Sequence, residues 1–157
     1  MEEFKISELD VPFTFQSRPE SIPADFRPLW RIALIVLILQ NTRGNKSSLG
    51  RLHVLNWALR SQENREELKR LLEKKISPDS LIIRIEPSLN RAIDLAIGHK
   101  LVDLLSGNKI QISKDGVTFS EDLLSTNNIF VQEKLFLNKY GRKITESIVQ
   151  TLFKRSF

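Results

Sequence analysis

Apolar side chains run almost unbroken over residues 29–39, interrupted only by Arg31. Two structures fit this run, a central helix over residues 29–43 or a buried parallel strand over residues 32–39, and periodicity alone does not separate them. The run is long for a strand, and Pro28 is well placed for the first turn of a helix. The pattern therefore favours a helix that is apolar nearly all round.

The next two segments have apolar positions at helical spacing. The stretch S-L-G-R-L-H-V-L-N-W-A-L-R-S predicts a second helix, with Ser47 or Ser48 as its N-cap. In this helix His53, Asn56 and Arg60 fall on one polar strip. The stretch Q-E-N-R-E-E-L-K-R-L-L-E-K-K predicts a third, amphipathic helix.

The middle of the chain combines strand and helix patterns. Residues 81–85 predict a short strand, and Ser88 is expected to cap the helix that follows, with Gly98 left-handed at its end. The stretch L-V-D-L-L, the turn S-G-N and the stretch K-I-Q-I-S predict a hairpin. A further helix follows, and the last segment predicts two helices that break at Tyr140 and Gly141.

This order of elements indicates the fold class. We expect a mainly α protein with a small β-hairpin, in which a winged-helix-like domain carries a C-terminal helical tail. Residues 1–26 would be an extended Pro-rich arm, residues 27–125 the domain, and residues 126–157 helices that pack on the domain or on a partner.

The arm and the tail both carry aromatic side chains that a partner could bind. Phe13 and Phe15 alternate with polar neighbours, which is typical of a short edge strand. Whether the arm packs on its own domain or on another protein stays open. We list five phenylalanines as candidate partner contacts: Phe13, Phe15, Phe130, Phe136 and Phe153.

The loop in L-I-L-Q-N-T-R-G-N-K-S-S-L-G invites comparison with a phosphate-binding loop. That motif needs G-x-x-x-x-G-K-[ST], whereas Asn45 precedes Lys46 and Gly44 is the one glycine of the turn. We therefore predict a turn between helices with Gly44 in the left-handed conformation, and no nucleotide cofactor. Neither the spacing of His53 and His99 nor any nucleophile motif predicts a metal ion or a catalytic residue.

Composition narrows the class of protein further. The 157 residues include no cysteine, the N-terminus is acidic, and no apolar run approaches the roughly 20 residues of a membrane span. We expect a cytoplasmic protein that is not an enzyme and does not enter a membrane.

The net charge of +5 is unevenly distributed along the chain. Residues 1–26 carry six acidic and two basic side chains. Residues 27–76 carry four acidic and eleven basic side chains, and residues 77–118 carry five acidic and five basic side chains. In a winged helix, the helix predicted after Ser88 would be the recognition helix and the hairpin would be the wing. Both lie within residues 77–118 and are therefore neutral overall, which is unfavourable for DNA reading because phosphate contacts supply much of the affinity.

The basic side chains could instead meet DNA backbone or an acidic partner. The glutamates between residues 65 and 75 also allow that part to be an ordinary solvated helix face. The candidate contacts are Arg43, Lys46, Arg51, Arg60, Arg91, Lys100 and Lys109.

Three motifs carry a resemblance to a known family: R-P-L-W at the start of the apolar helix, R-G-N-K-S before L-H-V-L-N-W-A-L, and P-S-L-N-R-A-I-D-L-A before the wing. Over about residues 27–120 the chain resembles the middle component of bacterial ABC-three-component systems, the Lamassu-type anti-phage defence operons. The resemblance implies a small, non-catalytic subunit that bridges an SMC- or Rad50-like ATPase and an effector, often a nuclease. The alternative is a winged-helix transcription regulator.

Overall fold

The computed structural model describes residues 27–154. The expectations for the arm, including Phe13 and Phe15, lie outside this range. The described chain is mainly helical with one small antiparallel sheet, as predicted. Its helices are α1 (Pro28–Gln40), α2 (Leu49–Leu59), α3 (Gln62–Leu72), α4 (Pro87–Gly98), α5 (Lys114–Ser125), α6 (Val131–Tyr140) and α7 (Glu146–Phe153). Its strands are β1 (Lys46–Ser48), β2 (Val102–Leu105) and β3 (Lys109–Ile112).

Helix α1 is the centre of the fold. Every side chain from Ile32 to Leu39 is at most 5% exposed, and α4, α5, α2 and α6 all pack on it. The helix was predicted correctly but ends at Gln40, three residues earlier than expected. Burying each large apolar side chain contributes about 1.5–3 kcal/mol, so this one helix organises the core. No helix within residues 27–154 is long and apolar enough to cross a membrane.

The turn after α1 contains a strand that the sequence did not predict. Gly44 has a φ of +72° as expected, and Asn45, with a φ of +53°, is also left-handed. The next three residues form β1, which pairs with β3 in antiparallel register. Ser48 then caps α2 as predicted, its Oγ accepting a hydrogen bond from the backbone N–H of Arg51 at 3.1 Å.

The prediction of a strand at residues 81–85 was wrong. These residues pair with no described strand, and the sheet order β1–β3–β2 places β3 between two other partners. The third strand is therefore supplied by β1, which occupies the edge of β3 opposite β2.

The hairpin β2–β3 was predicted correctly. Ser106, Gly107 and Asn108 form its turn, and the last two have φ angles of +74° and +55°. Helix α4 differs from the prediction at both ends. It begins at Pro87 with Glu86 as its N-cap, so Ser88 is not the cap, and the left-handed residue after it is Lys100 rather than Gly98.

The C-terminal helices pack on the domain and share its core. Helix α6 contacts α1 and α7 contacts α2, so Leu137, Ile144, Val149 and Leu152 are buried. The predicted break at Tyr140 and Gly141 is present as the 3₁₀ turn Gly141–Lys143. The described part of the tail therefore completes the fold.

Two helical glycines provide a matched test of this packing. A Cβ at Gly116 in α5 would lie 2.0 Å from the carbonyl oxygen of Leu101 and 2.7 Å from Cγ1 of Ile112, whereas a Cβ at Gly98 would meet nothing within 4 Å. We expect Gly116→Ala to lower the free energy of unfolding by about 2–3 kcal/mol, since overpacking forces the backbone to move. Gly98→Ala should raise it by about 0.5–1 kcal/mol. Urea denaturation measures both, and equal effects would contradict the described contact between α5 and Leu101.

Candidate partner-binding surface

A buried polar network joins α1, α2 and the start of α4. We call it the Glu86 network, and it consists of Arg31, His53, Asn56, Arg60, Glu86 and Asn90. Arg31, His53 and Asn56 are each at most 4% exposed. Since buried polar groups need hydrogen-bond partners, the geometry of this network constrains how the three segments meet.

The carboxylate of Glu86 accepts hydrogen bonds from both arginines. Nη1 of Arg31 lies 3.1 Å from Oε2 and also 3.3 Å from Oδ1 of Asn56, while Nη1 of Arg60 donates to Oε1. The side chain of Arg31 is 5% exposed and that of Glu86 is 18% exposed, so water screens this ion pair only weakly. The sequence marked Arg31 only as the single interruption of the apolar run, which is the signal that could have revealed the network.

His53 bonds on both sides of its ring. Its Nδ1 accepts from the backbone N–H of Glu86 at 3.3 Å, so Nδ1 is unprotonated and Nε2 donates to Oδ1 of Asn90 at 3.1 Å. Burial lowers the pKa of His53 from its ordinary value of 6.5, against the opposing effects of the Asn90 hydrogen bond and the Glu86 charge. The polar strip predicted for His53, Asn56 and Arg60 therefore faces the protein interior at its first two positions.

The hydrogen bonds described above join α1, α2 and the start of α4, so the network positions these helices. It fixes the N-terminus of α4 against α1 and α2, and with it the exposed faces of α4 and the hairpin. Within residues 27–154 no group of three or more His, Asp and Glu side chains could hold a metal ion.

The basic side chains predicted as partner contacts lie on different parts of the protein. Lys46 and Lys109 lie on the outer face of the sheet, because Ser47 and Ile110, which pair with each other, are buried on the inner face. Arg43 is exposed in the turn just before β1. We call these three exposed cations the basic group.

Two other predicted cations are engaged within the fold. Nη2 of Arg51 lies 3.1 Å from Oε1 of Glu146, and the Arg51 side chain is only 16% exposed. Arg60 donates to Glu86 in the network described above. Each arginine thus contributes to packing between segments, and Arg51 has little surface left for a partner.

The exposed side of α4 is mixed in character. Arg91, Asp94 and Leu95 all lie on the surface, and Leu95 is 44% exposed. Lys100 is exposed just beyond the helix. One cation, one anion and one apolar side chain on this face give no net charge.

A groove of about 170 Å³ lies between α4 and the hairpin, which we call the α4–hairpin groove. Leu104 faces this groove and is 61% exposed. The lining includes the anion Asp94 and contains neither lysine nor arginine. The other lining residues include Leu49, Asn90, Ile93 and Ile97.

The three described phenylalanines of the tail have different environments. Phe130 is half-buried with its ring centroid 6.0 Å from that of Trp30. Phe136 is 7% exposed, and its ring centroid lies 5.1 Å from that of Tyr140. The core encloses this side chain, so its assignment as a partner contact was wrong. Phe153 is half-buried beside a groove at the end of α7.

Comparison of the chain with protein-family models, curated proteins and solved structures finds no match. Functional inference therefore rests on the residues themselves.

The pKa of His53 gives a pH-dependent prediction. Because its folded-state pKa lies below 6.5, the unfolded chain binds the proton first as the pH falls. The stability that neutral His53 contributes is present above pH 6.5 and is lost as the pH falls below that value. At pH 7.5 we expect His53→Gln to be less stable than the parent protein by about 1–2 kcal/mol, since the N–H of Glu86 loses its acceptor. This difference should narrow at pH 5.

Denaturant titrations at both pH values measure the effect. The control is His99→Gln, because His99 is exposed and is the second of the two histidines. A difference for His53→Gln that stays constant or widens on acidification would contradict a neutral, buried His53.

Proposed function

We propose that this protein is a non-catalytic adaptor subunit of a cytoplasmic protein assembly, and that the α4–hairpin groove binds a protein partner. The observation that carries the proposal is the chemistry of that groove. It presents an exposed leucine and an aspartate without any lysine or arginine. Protein interfaces have apolar centres from which charge is depleted, whereas DNA-reading faces are strongly basic.

The topology supports a winged-helix interpretation of the fold. The order helix, strand, two main helices and hairpin, with β1 beside β3, corresponds to a winged helix into which α3 is inserted. In that interpretation α4 occupies the position of the recognition helix and the turn of the β2–β3 hairpin is the tip of the wing. Because one fold serves many functions, the neutral face of α4 matters more than the fold itself.

The resemblance noted for the sequence suggests which assembly this is. We propose that the protein belongs to an ABC-three-component, Lamassu-type defence complex, where it links an SMC- or Rad50-like ATPase to an effector. The exposed basic group Arg43, Lys46 and Lys109 would then be free to meet DNA backbone or an acidic surface of a partner.

A winged-helix transcription regulator is the second candidate, and the same basic group favours it. Lys46 and Lys109 lie on neighbouring strands beside the wing, where contact with a phosphate backbone is geometrically simple.

Co-purification with the products of neighbouring genes tests the proposal. We expect the protein to co-elute with an ATPase and an effector in size-exclusion chromatography, and Leu104→Asp to weaken that association at least about tenfold, since it places a charge at the centre of an apolar contact. The matched control is Leu124→Asp, because Leu124 is 42% exposed on α5 and does not line the groove.

Two results would contradict the adaptor proposal. One is a protein that elutes alone as a monomer in the presence of both neighbours. The other is specific, steeply salt-dependent binding to one DNA duplex without any protein partner, which would favour the regulator instead.

A further inference from the structure

Helices α3 and α6 form the two walls of a groove of about 460 Å³, which we call the α3–α6 groove. From α3 it is lined by Gln62, Arg65, Glu66 and Lys69, and the α6 wall repeats this spacing from Gln132 to Lys139. Residues at i, i+3, i+4 and i+7 share one face of a helix. Each wall is therefore a row about two helical turns, or roughly 10 Å, in length.

The two rows stay close together at their C-terminal ends. Glu73 follows the α3 row one turn beyond Lys69, and its Oε2 lies 2.7 Å from Nζ of Lys75. The pKa of Glu73 is lowered first by its hydrogen bond to Lys75 and further by the nearby charges of Lys69 and Lys139. Because Lys69 belongs to α3 and Lys139 to α6, both walls reach this carboxylate.

The centre of the groove is apolar. Phe136 and Tyr140 line it and are only 7% and 8% exposed, with their ring centroids 5.1 Å apart, so they form its floor. Leu135 also lines the groove and is 62% exposed. Together these side chains offer an apolar strip on which another apolar side chain can pack.

Basic side chains predominate around this apolar strip. Among the described residues, the lining contains the cations Arg65, Lys69 and Lys139 and the single anion Glu66. Nζ of Lys69 lies 3.8 Å from Oε2 of Glu66, so these two charges offset each other. Arg65 and Lys139 therefore give the lining a net positive charge.

The positive charge continues at the C-terminal end of the groove. The Nζ atoms of Lys139 and Lys143 each lie 5.3 Å from the ring centroid of Tyr140. The nearby carboxylate of Glu73 already pairs with Lys75. The groove and this end of it thus carry five basic and two acidic side chains.

We propose that the α3–α6 groove binds an acidic amphipathic helix of a partner protein. Two helical walls accept a third helix between them, because its side chains pack as ridges into the groove. Apolar residues of that helix would contact Leu135 and the aromatic floor. Its carboxylates would meet Arg65 and Lys139, and complementary charge favours such a partner.

This proposal does not depend on the α4–hairpin groove, since the two grooves share no described residue. An acidic helix also suits the α3–α6 groove better than a nucleic acid does. A phosphate backbone would pair with the cations, but it has no apolar group to cover Leu135, and Glu66 would repel it.

An NMR titration of the full chain with a synthetic peptide tests the proposal. The probe is a peptide of three L-E-A-L-E-E-A repeats, which places leucines on one face of a helix and glutamates beside them. We expect a Kd on the order of 50 μM and amide shift changes confined to α3, α6 and the turn Gly141–Lys143. The same peptide with lysine in place of every glutamate should bind at least about tenfold more weakly.

Single substitutions locate the contact. Leu135→Asp and Lys139→Glu should each weaken binding of the acidic peptide at least about fivefold. The matched controls are Leu104→Asp in the α4–hairpin groove and Lys109→Glu in the basic group, which change the net charge by the same amounts. Each control should change the Kd less than about twofold.

Three results would overturn the proposal. The first is the absence of any shift change at about 1 mM acidic peptide. The second is equal weakening by the groove variants and their controls, because binding would then reflect only the overall charge. The third is a DNA duplex of about 20 base pairs that shifts the same amides and displaces the peptide, because the groove would then be a nucleic-acid site.

Discussion

The ion pair between Arg31 and Glu86 is the constraint on which the arrangement of this protein depends. Helix α1 crosses the core with buried side chains on every side, and Arg31 is its one buried charge. An unpaired buried guanidinium would be strongly unfavourable, so the carboxylate of Glu86 must approach α1. That requirement brings the start of α4 to a fixed place beside α1 and α2.

Several features follow from the position of Glu86. Its backbone N–H donates to His53 and its carboxylate accepts from two arginines, and α4 starts immediately after it. The face of α4 that meets the hairpin is thus oriented by these contacts. The exposed face of α4 is in this way supported by the Glu86 network.

Local signals in the sequence predicted much of the fold, and non-local pairings were missed. The length of the apolar run identified α1, the S-G-N turn identified the hairpin, and Ser48 was recognised as a cap. Strand β1 was missed because three residues, K-S-S, carry no periodic pattern, and its pairing with Gln111 spans most of the domain. The strand expected at residues 81–85 has the right propensity, but propensity does not supply a neighbouring strand.

The candidate site was predictable only in part for a similar reason. Net charge along the chain correctly indicated a neutral α4 and hairpin, because counting charges needs no three-dimensional information. Counting charges could not predict which basic side chains stay exposed. Arg51 and Arg60 pair with glutamates that lie 95 and 26 residues away in the sequence. His53 and Asn56 look like surface residues in sequence, and only their partners explain their burial.

A double-mutant cycle between Arg31 and Glu86 tests the central claim most directly. Arg31→Met and Glu86→Gln are made singly and together, and the free energy of unfolding is measured by denaturant titration. We expect each single change to cost about 2–4 kcal/mol and the double variant to cost at least about 1.5 kcal/mol less than the sum, because the first change has already broken the interaction that the second would remove. Costs that add to within about 0.5 kcal/mol would contradict the account, since the two side chains would then stabilise the fold independently.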